Sequence, residues 1–306
     1  MDMSSPSSPR IYTVLGISLV AISVAAIFIR LADAPGVVVA AYRMVIASVI
    51  LLPLSIPALR RATFTRQTLL YSVLAGLFLG GHFATWITSL SYTSVAASVS
   101  LVASQPLWVA LLGWLFLGLA PSFLVLLGVL LAIAGGALIG FGDFGSGSAP
   151  LLGDALAVAG ALCGAAYLLL GRAAQRQGLS LNAYVGVAYG VAAMVLLPLP
   201  WLLGVPYVGY ELATFAWIAL LALIPQLVGH TGVNYAMKYL SPTLVATAVL
   251  LEPVGASLFA LLLFGEVPPL TTLLGALVLL LGVLLTVQGS NRANREAVEE
   301  TLEPSP

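Results

Sequence analysis

Apolar residues in this chain come in long runs rather than in alternation. From Ile11 to Gly289 polar positions are sparse. Breaks marked by Gly, Pro, Ser or Arg divide the chain into ten stretches: 11–30, 35–57, 68–90, 93–117, 122–141, 151–171, 181–203, 212–237, 241–264 and 270–289. About twenty apolar residues are needed to cross ~30 Å of hydrocarbon as a helix, so each stretch predicts one transmembrane helix. Strands are excluded, because the runs are too long and lack the apolar/polar period of a membrane barrel. The linkers are short and hold turn residues such as Ala34-Pro35-Gly36, Gly145-Ser146-Gly147-Ser148 and Pro268-Pro269. The pattern therefore predicts an all-α integral membrane protein with ten transmembrane helices. A disordered tail is expected at 1–10 and a second tail at 290–306.

Composition supports that class. Hydrophobic residues are 61% of the chain, charged residues 7%, and the mean hydropathy is +1.11. A soluble domain carries roughly 25% charged residues, so this chain cannot cover a water-facing surface. Eleven acids balance eleven bases, which argues against a nucleic-acid partner. The single cysteine, Cys163, lies in an apolar stretch and reads as an inert buried thiol. Ala32-Asp33-Ala34 resembles a signal cleavage site, but the run Ile11–Ile29 exceeds the usual ~7–15 residue signal core and Pro35 would follow the cut. A retained first span is expected.

Basic residues set the orientation. With the N-terminus in the cytoplasm, Arg10, Arg60, Arg61, Arg66, Arg172, Arg176, Lys238, Arg292 and Arg295 fall inside, Arg30 falls outside, and Arg43 lies within a span. Both termini are expected to be cytoplasmic, in a multi-pass protein of the cell (inner) membrane.

The chain also repeats itself. Gly118, Gly128, Gly135 and Gly142 recur 147 residues later as Gly265, Gly275, Gly282 and Gly289, and Pro106 recurs as Pro253. Slightly upstream the offset is 148, matching His82 with His230 and Thr93-Ser94 with Ser241-Pro242; further up it is 142, matching Arg30 with Arg172 and Tyr42 with Tyr184. Two halves are expected, 11–141 and 151–289, joined by a linker at 142–150. Each holds five spans, an odd number, so the second must cross in the opposite sense to the first. Inverted repeats of this kind place a substrate site near the midplane between halves.

These features resemble the drug/metabolite transporter superfamily, specifically its EamA type. The residues that carry the resemblance are Leu251-Glu252-Pro253 and Gly265-Glu266 in the second half, with Tyr92-Thr93-Ser94-Val95-Ala96, Gln105-Pro106 and Gly118 in the first. The first half departs from the acidic pattern, because Gln105 stands opposite Glu252 and Leu119 opposite Glu266. The resemblance implies a secondary carrier that exports or exchanges small metabolites through a cavity lined by both halves.

Glu252 is predicted at the middle of the ninth span, where a charge costs roughly 2.5–3.5 kcal/mol on insertion scales. Pro253 frees the carbonyl of Val249 beside it and kinks the helix, as Pro106 does in span four. Glu252 is a candidate proton-coupling group or an acid that locks helices together. Arg43, within span two, suits a substrate carboxylate, or a pairing with Glu252 or helix-end carbonyls. Phe78, His82 and Trp86 recur at four-residue spacing and share one helix face; Gln226, His230 and Asn234 occupy the equivalent places in span eight. They read as a substrate cavity with stacking on one side and hydrogen bonding on the other, or as interhelical polar contacts without a ligand. Gln105 and Trp108, with Ser98, form a further face on span four. Tyr42 and Tyr184 are weaker candidates, and Trp201, Tyr207, Tyr210 and Trp217 read as an interfacial aromatic belt. Gly76/Gly80, Gly160/Gly164 and Gly186/Gly190 predict close helix packing between spans or between subunits.

Competing functions find less support. Gly140-Phe141-Gly142-Asp143 spells the G-x-G-D sequence of membrane aspartyl proteases, yet no second mid-membrane aspartate would complete a dyad. Zinc, nucleophile-elbow and Walker motifs are absent from the sequence, so neither an enzyme, a metal site, a cofactor nor ATP-driven transport is expected. A passive channel would need a continuous polar lining, whereas polar residues here cluster at mid-membrane. The expected partners are a small-molecule substrate and the bilayer. A monomer and a homodimer are both compatible with the sequence, as are proton coupling, exchange and facilitated diffusion. Few cations within spans favour a neutral or zwitterionic substrate such as an amino acid.

Overall fold

A computed structural model describes residues 8–89, 91–93, 98, 101–118, 120–139, 147–265 and 270–302. The G-x-G-D sequence, Ser94-Val95-Ala96, Leu119, Glu266, Pro268-Pro269 and most of the N-terminal tail lie outside these residues. Every regular element among the described residues is helical. We number them α1 (Ser8–Ser23), α2 (Ala25–Ala32), α3 (Gly36–Arg61), α4 (Arg66–Ser89), α5 (Gln105–Leu117), α6 (Phe123–Ile139), α7 (Pro150–Arg176), α8 (Leu181–Leu196), α9 (Leu199–Leu202), α10 (Leu212–Leu221), the π segment (Ala222–His230), α11 (Thr231–Tyr239), α12 (Pro242–Val249), α13 (Glu252–Phe264) and α14 (Leu270–Leu302). Eight helical stretches among the described residues, several of them built from consecutive helices, are long and apolar enough to cross a bilayer, and α5 and α6 are shorter apolar helices.

Among the interruptions of the predicted spans, two correspond under the repeat. In the ninth, α12 ends at Val249 and α13 begins at Glu252, with Leu250 and Leu251 in a turn. In the fourth, Ala103 and Ser104 form the turn and α5 begins at Gln105. The two turns and the two helix starts stand 147 residues apart, the offset of the repeat. Proline explains the position of both breaks. It is tolerated in the first turn of a helix, where its missing N–H has no partner to lose, and it breaks a helix interior. Pro106 and Pro253 thus open second segments rather than kinking continuous helices. The far ends match as well: Gly118 and Gly265 are both left-handed, with φ of 65° and 69°.

The helices meet through small residues, and the contacts come in exchanged pairs. Gly128 on α6 lies against Gly282 and Thr286 on α14, while Gly135 lies against Gly275 and Leu279. A Cβ would stand 2.7 Å from the Gly282 carbonyl oxygen at Gly128, and 2.6 Å from that of Gly275 at Gly135. Exchanging the halves at the 147-residue offset turns each of these contacts into the other. Elsewhere α4 packs on α7, and α1 packs on the π segment and α11, its counterparts under the same exchange. Gly76 and Gly80 seat Ala188, Val191, Ala192 and Val195 of α8, so this pair acts between spans. Gly160 and Gly164 likewise admit residues of α4 and α5, whereas Gly190 has nothing within 4 Å.

Candidate functional site

Polar side chains that hydrocarbon cannot solvate are turned inward, where α3, α4, α7, α8 and span eight converge. At the centre lies Arg43 of α3, 2% exposed. Its Nε donates to Gln226 Oε1 at 2.8 Å, and its guanidinium sits over the Phe83 ring at 4.5 Å. Both contacts satisfy a cation in low dielectric, one by a charge-assisted hydrogen bond and one through the ring quadrupole. The direct partner of Arg43 is therefore an amide, not the Glu252 carboxylate, although Glu252, Tyr167 and Tyr189 lie within electrostatic reach. Because the Gln226 oxygen is held by an arginine donor, its Nε2 points elsewhere as a donor.

The π segment controls how Gln226 is presented. Its i→i+5 bonding runs through Pro225 and closes with the Thr231 N–H on the Gln226 carbonyl. Gln226, His230 and Asn234 consequently do not repeat the α-helical geometry of Phe78, His82 and Trp86, contrary to the four-residue spacing. Gln226 and Asn234 are 0% and 1% exposed. Asn234 Nδ2 donates to the Tyr167 hydroxyl and, at 3.5 Å, to that of Tyr189, which in turn meets Thr231 Oγ1 at 3.2 Å. Gln175 Nε2 closes the network on the Asn234 carbonyl at 3.0 Å. His230 reaches the first half through the edge of Phe83, with ring centroids 5.9 Å apart.

On α4, His82 is buried and its Nδ1 lies 2.8 Å from the Gly160 carbonyl. A carbonyl only accepts, so Nδ1 carries the proton and Nε2 is left as the acceptor of the neutral ring. Trp86 stacks on His82 at 5.8 Å. Gln105 approaches the same wall: a Cβ at Gly164 would meet Gln105 Nε2 at 2.9 Å and His82 Nδ1 at 3.1 Å. Trp108 donates to Ser104 Oγ at 3.2 Å, and Ser98 pairs with Ser89 at 2.6 Å, so these two stay in local contacts. Phe78 does not join the cluster side by side with His82; it is 36% exposed, and Phe83 supplies the aromatic face instead. Glu252 opens α13, where a carboxylate meets the positive end of a helix dipole.

The cluster leaves donors over. Arg43 Nη2, Gln226 Nε2 and Trp86 Nε1 are buried without a hydrogen-bond partner among the described residues. Arg43 and Trp86 come from the first half, Gln226 from the second. Such groups are costly in a low-dielectric interior unless an acceptor arrives. Sequence reasoning missed Phe83, Tyr167, Tyr189 and Gln175. Tyrosines within apolar runs were the available signal, but only tertiary packing brings Tyr167 and Tyr189 to Asn234. Tyr184 is fully buried against Gly171, not at an interface, while Tyr42 donates to the Tyr207 carbonyl at 3.0 Å.

Known proteins share this fold. A solved structure described only as that of a protein superposes with a TM-score of 0.78, at 17% identity, over 94% of this chain and 99% of its own. No curated protein matches the chain by sequence. The family model for EamA-like transporters matches twice, over residues 8–141 and 151–288. With both halves covered, the chain belongs to the EamA-like transporter family, within the drug/metabolite transporter superfamily.

Proposed function

We propose that the protein is a secondary carrier that exports or exchanges small organic metabolites bearing a carboxylate, amino acids foremost, by alternating access across the inner membrane. The observation that carries the reading is the set of buried donors without acceptors among the described residues, Arg43 Nη2, Gln226 Nε2 and Trp86 Nε1, drawn from both halves of a transporter-family chain. With Nε given to Gln226, the Arg43 guanidinium still offers its Nη hydrogens to a carboxylate, and the Gln226 amide and the Trp86 indole each hold one further open donor. The Phe83 and Trp86 rings supply apolar surface for the rest of the substrate, and the Tyr167–Asn234–Tyr189 network supports the second half of the site.

Ten spans in two inverted halves fit this role. Contacts that exchange between halves give two arrangements of similar energy, each sealing one side. The breaks before Gln105 and Glu252 leave short helix starts that can tilt without rupturing a continuous helix. Glu252 is the coupling carboxylate in this scheme, protonated in one state and released in the other. The termini face the cytoplasm, where the basic residues gather.

The deciding experiment is counterflow in proteoliposomes. Vesicles loaded with unlabelled amino acid should transiently accumulate the labelled compound above equilibrium, and a panel should favour compounds with a carboxylate over their amides. Equal rates for acids and amides would overturn the carboxylate reading, and no overshoot would overturn the carrier.

A further inference from the structure

A cavity of about 320 Å³ opens where helix ends gather, and none of the described residues lining it belongs to the Arg43 cluster. Its polar wall is Ser122, Arg172, Arg176, Ser241, Thr243 and Ser290, over an apolar floor from α5. Among the described residues lining it there are two arginines and no carboxylate.

Three features make this a built site rather than a gap. First, Arg172 is held in the last turns of α7 with Nη1 buried and without a hydrogen-bond partner among the described residues. Arg176 follows one turn later and its charge acts on Arg172. Like charges at this spacing destabilise a helix end, and an anion between them would reverse the sign of the interaction. Second, two helix starts face the same space. Ser122 Oγ accepts from the Val125 N–H at 3.4 Å at the start of α6, and Ser241 Oγ accepts from the Leu244 N–H at 3.2 Å at the start of α12. The serine caps occupy the Val125 and Leu244 N–H groups and Pro242 has none, so what these helix starts contribute to an anion is mainly their partial positive charge. Third, hydroxyls complete the ring, with Ser241 and Ser290 oxygens 3.2 Å apart.

The repeat does not duplicate these residues in sequence. Arg172 corresponds to Arg30, but Arg176 corresponds to Ala34 and Ser122 to Pro269, so the matching positions carry neither a second guanidinium nor this hydroxyl. In the turn of α5 that follows the lining residue Gly113, Leu115, Phe116 and Leu117 are 62%, 77% and 45% exposed, an apolar surface suited to lipid. We propose that this cavity binds a phosphate group, presented by an anionic lipid headgroup or by a free phosphate, between Arg172, Arg176 and the starts of α6 and α12.

The test needs no transport activity. The full chain is placed in phosphatidylcholine nanodiscs and its thermal midpoint followed against three additions: phosphatidic acid within the disc, inorganic phosphate, and chloride at matched ionic strength. A saturable rise with phosphatidic acid alone assigns the headgroup, and a rise with inorganic phosphate assigns the free ion. Arg176→Gln, at an exposed position, should weaken either response about tenfold, the loss of one charge-assisted hydrogen bond. Arg60→Gln, outside the cavity, should leave it unchanged. The proposal is overturned by no shift in either phosphate arm, by an equal shift with chloride, by a wild-type response in Arg176→Gln, or by an equal loss in Arg60→Gln. Arg172→Gln with Arg176→Gln should abolish the response, and if that pair fails to fold, Arg176→Gln still decides.

Discussion

At the residue scale the protein is organised around one cation. A guanidinium at mid-membrane is stable only where partners replace water, and Arg43 has the Gln226 oxygen, the Phe83 face and the field of Glu252. Arg43→Gln is expected to raise KM for carboxylate substrates about tenfold or more, and Arg43→Lys should not restore it, since an ammonium cannot hold Gln226 and a ligand in one planar fork. Uptake kinetics in proteoliposomes, with thermal midpoints to show that both variants fold, would check this. Glu252→Gln should keep substrate exchange and lose accumulation driven by a pH gradient; full pH-driven uptake by that variant would place coupling elsewhere. Tyr167→Phe removes the acceptor of Asn234 in a buried network, and is expected to lower stability by about 1 kcal/mol, read as a fall in the thermal midpoint.

Elements matter here mainly where they are irregular. An unbroken helix buries its own backbone polar groups and has little to offer a ligand or a hinge. Spans four and nine interrupt themselves before Gln105-Pro106 and Glu252-Pro253, and span eight widens into a π segment around Pro225. π segments occur disproportionately at functional sites, and this one carries Gln226 to Arg43. The regular helices act through close approach instead. Gly135→Ala and Gly282→Ala would push a Cβ into carbonyls of the facing helix, costing about 1–3 kcal/mol each. Gly190→Ala meets nothing within 4 Å and should be neutral or slightly stabilising. Unfolding midpoints of the three variants would separate these cases.

For the whole molecule, the notable property is that contacts of one half reappear, exchanged, in the other. The glycine pairs between α6 and α14 map onto each other at the repeat offset, as do the packing of α4 on α7 and of α1 on span eight. Two equivalent sets of contacts would let either be made at similar cost, which is what the proposed carrier needs. Orientation is testable at this scale: a reporter fused to the C-terminus should be active only if it works in the cytoplasm, and periplasmic activity would reverse the assignment.

The division between what the chain spells out and what folding decides follows from range. Membrane helices were legible because hydrocarbon demands apolar runs of a given length, a requirement local in sequence. The repeat was legible because its residues recur in order, and Arg43, His82, Gln226, His230, Asn234 and Glu252 stood out because polar groups in apolar runs are conspicuous. What the sequence could not supply was partnership. Arg43 meets Gln226 across 183 residues, and its pairing there rather than with Glu252 depends on how helices pack. Phe83 replaces Phe78 as the aromatic face, because the rotation of α4 is set by the glycines it presses on α8. The π winding of span eight shifts His230 off the stripe expected of an α-helix. The pair Arg172 and Arg176 reads in sequence as an ordinary basic helix end; only the tertiary structure brings two helix starts and three serines to it.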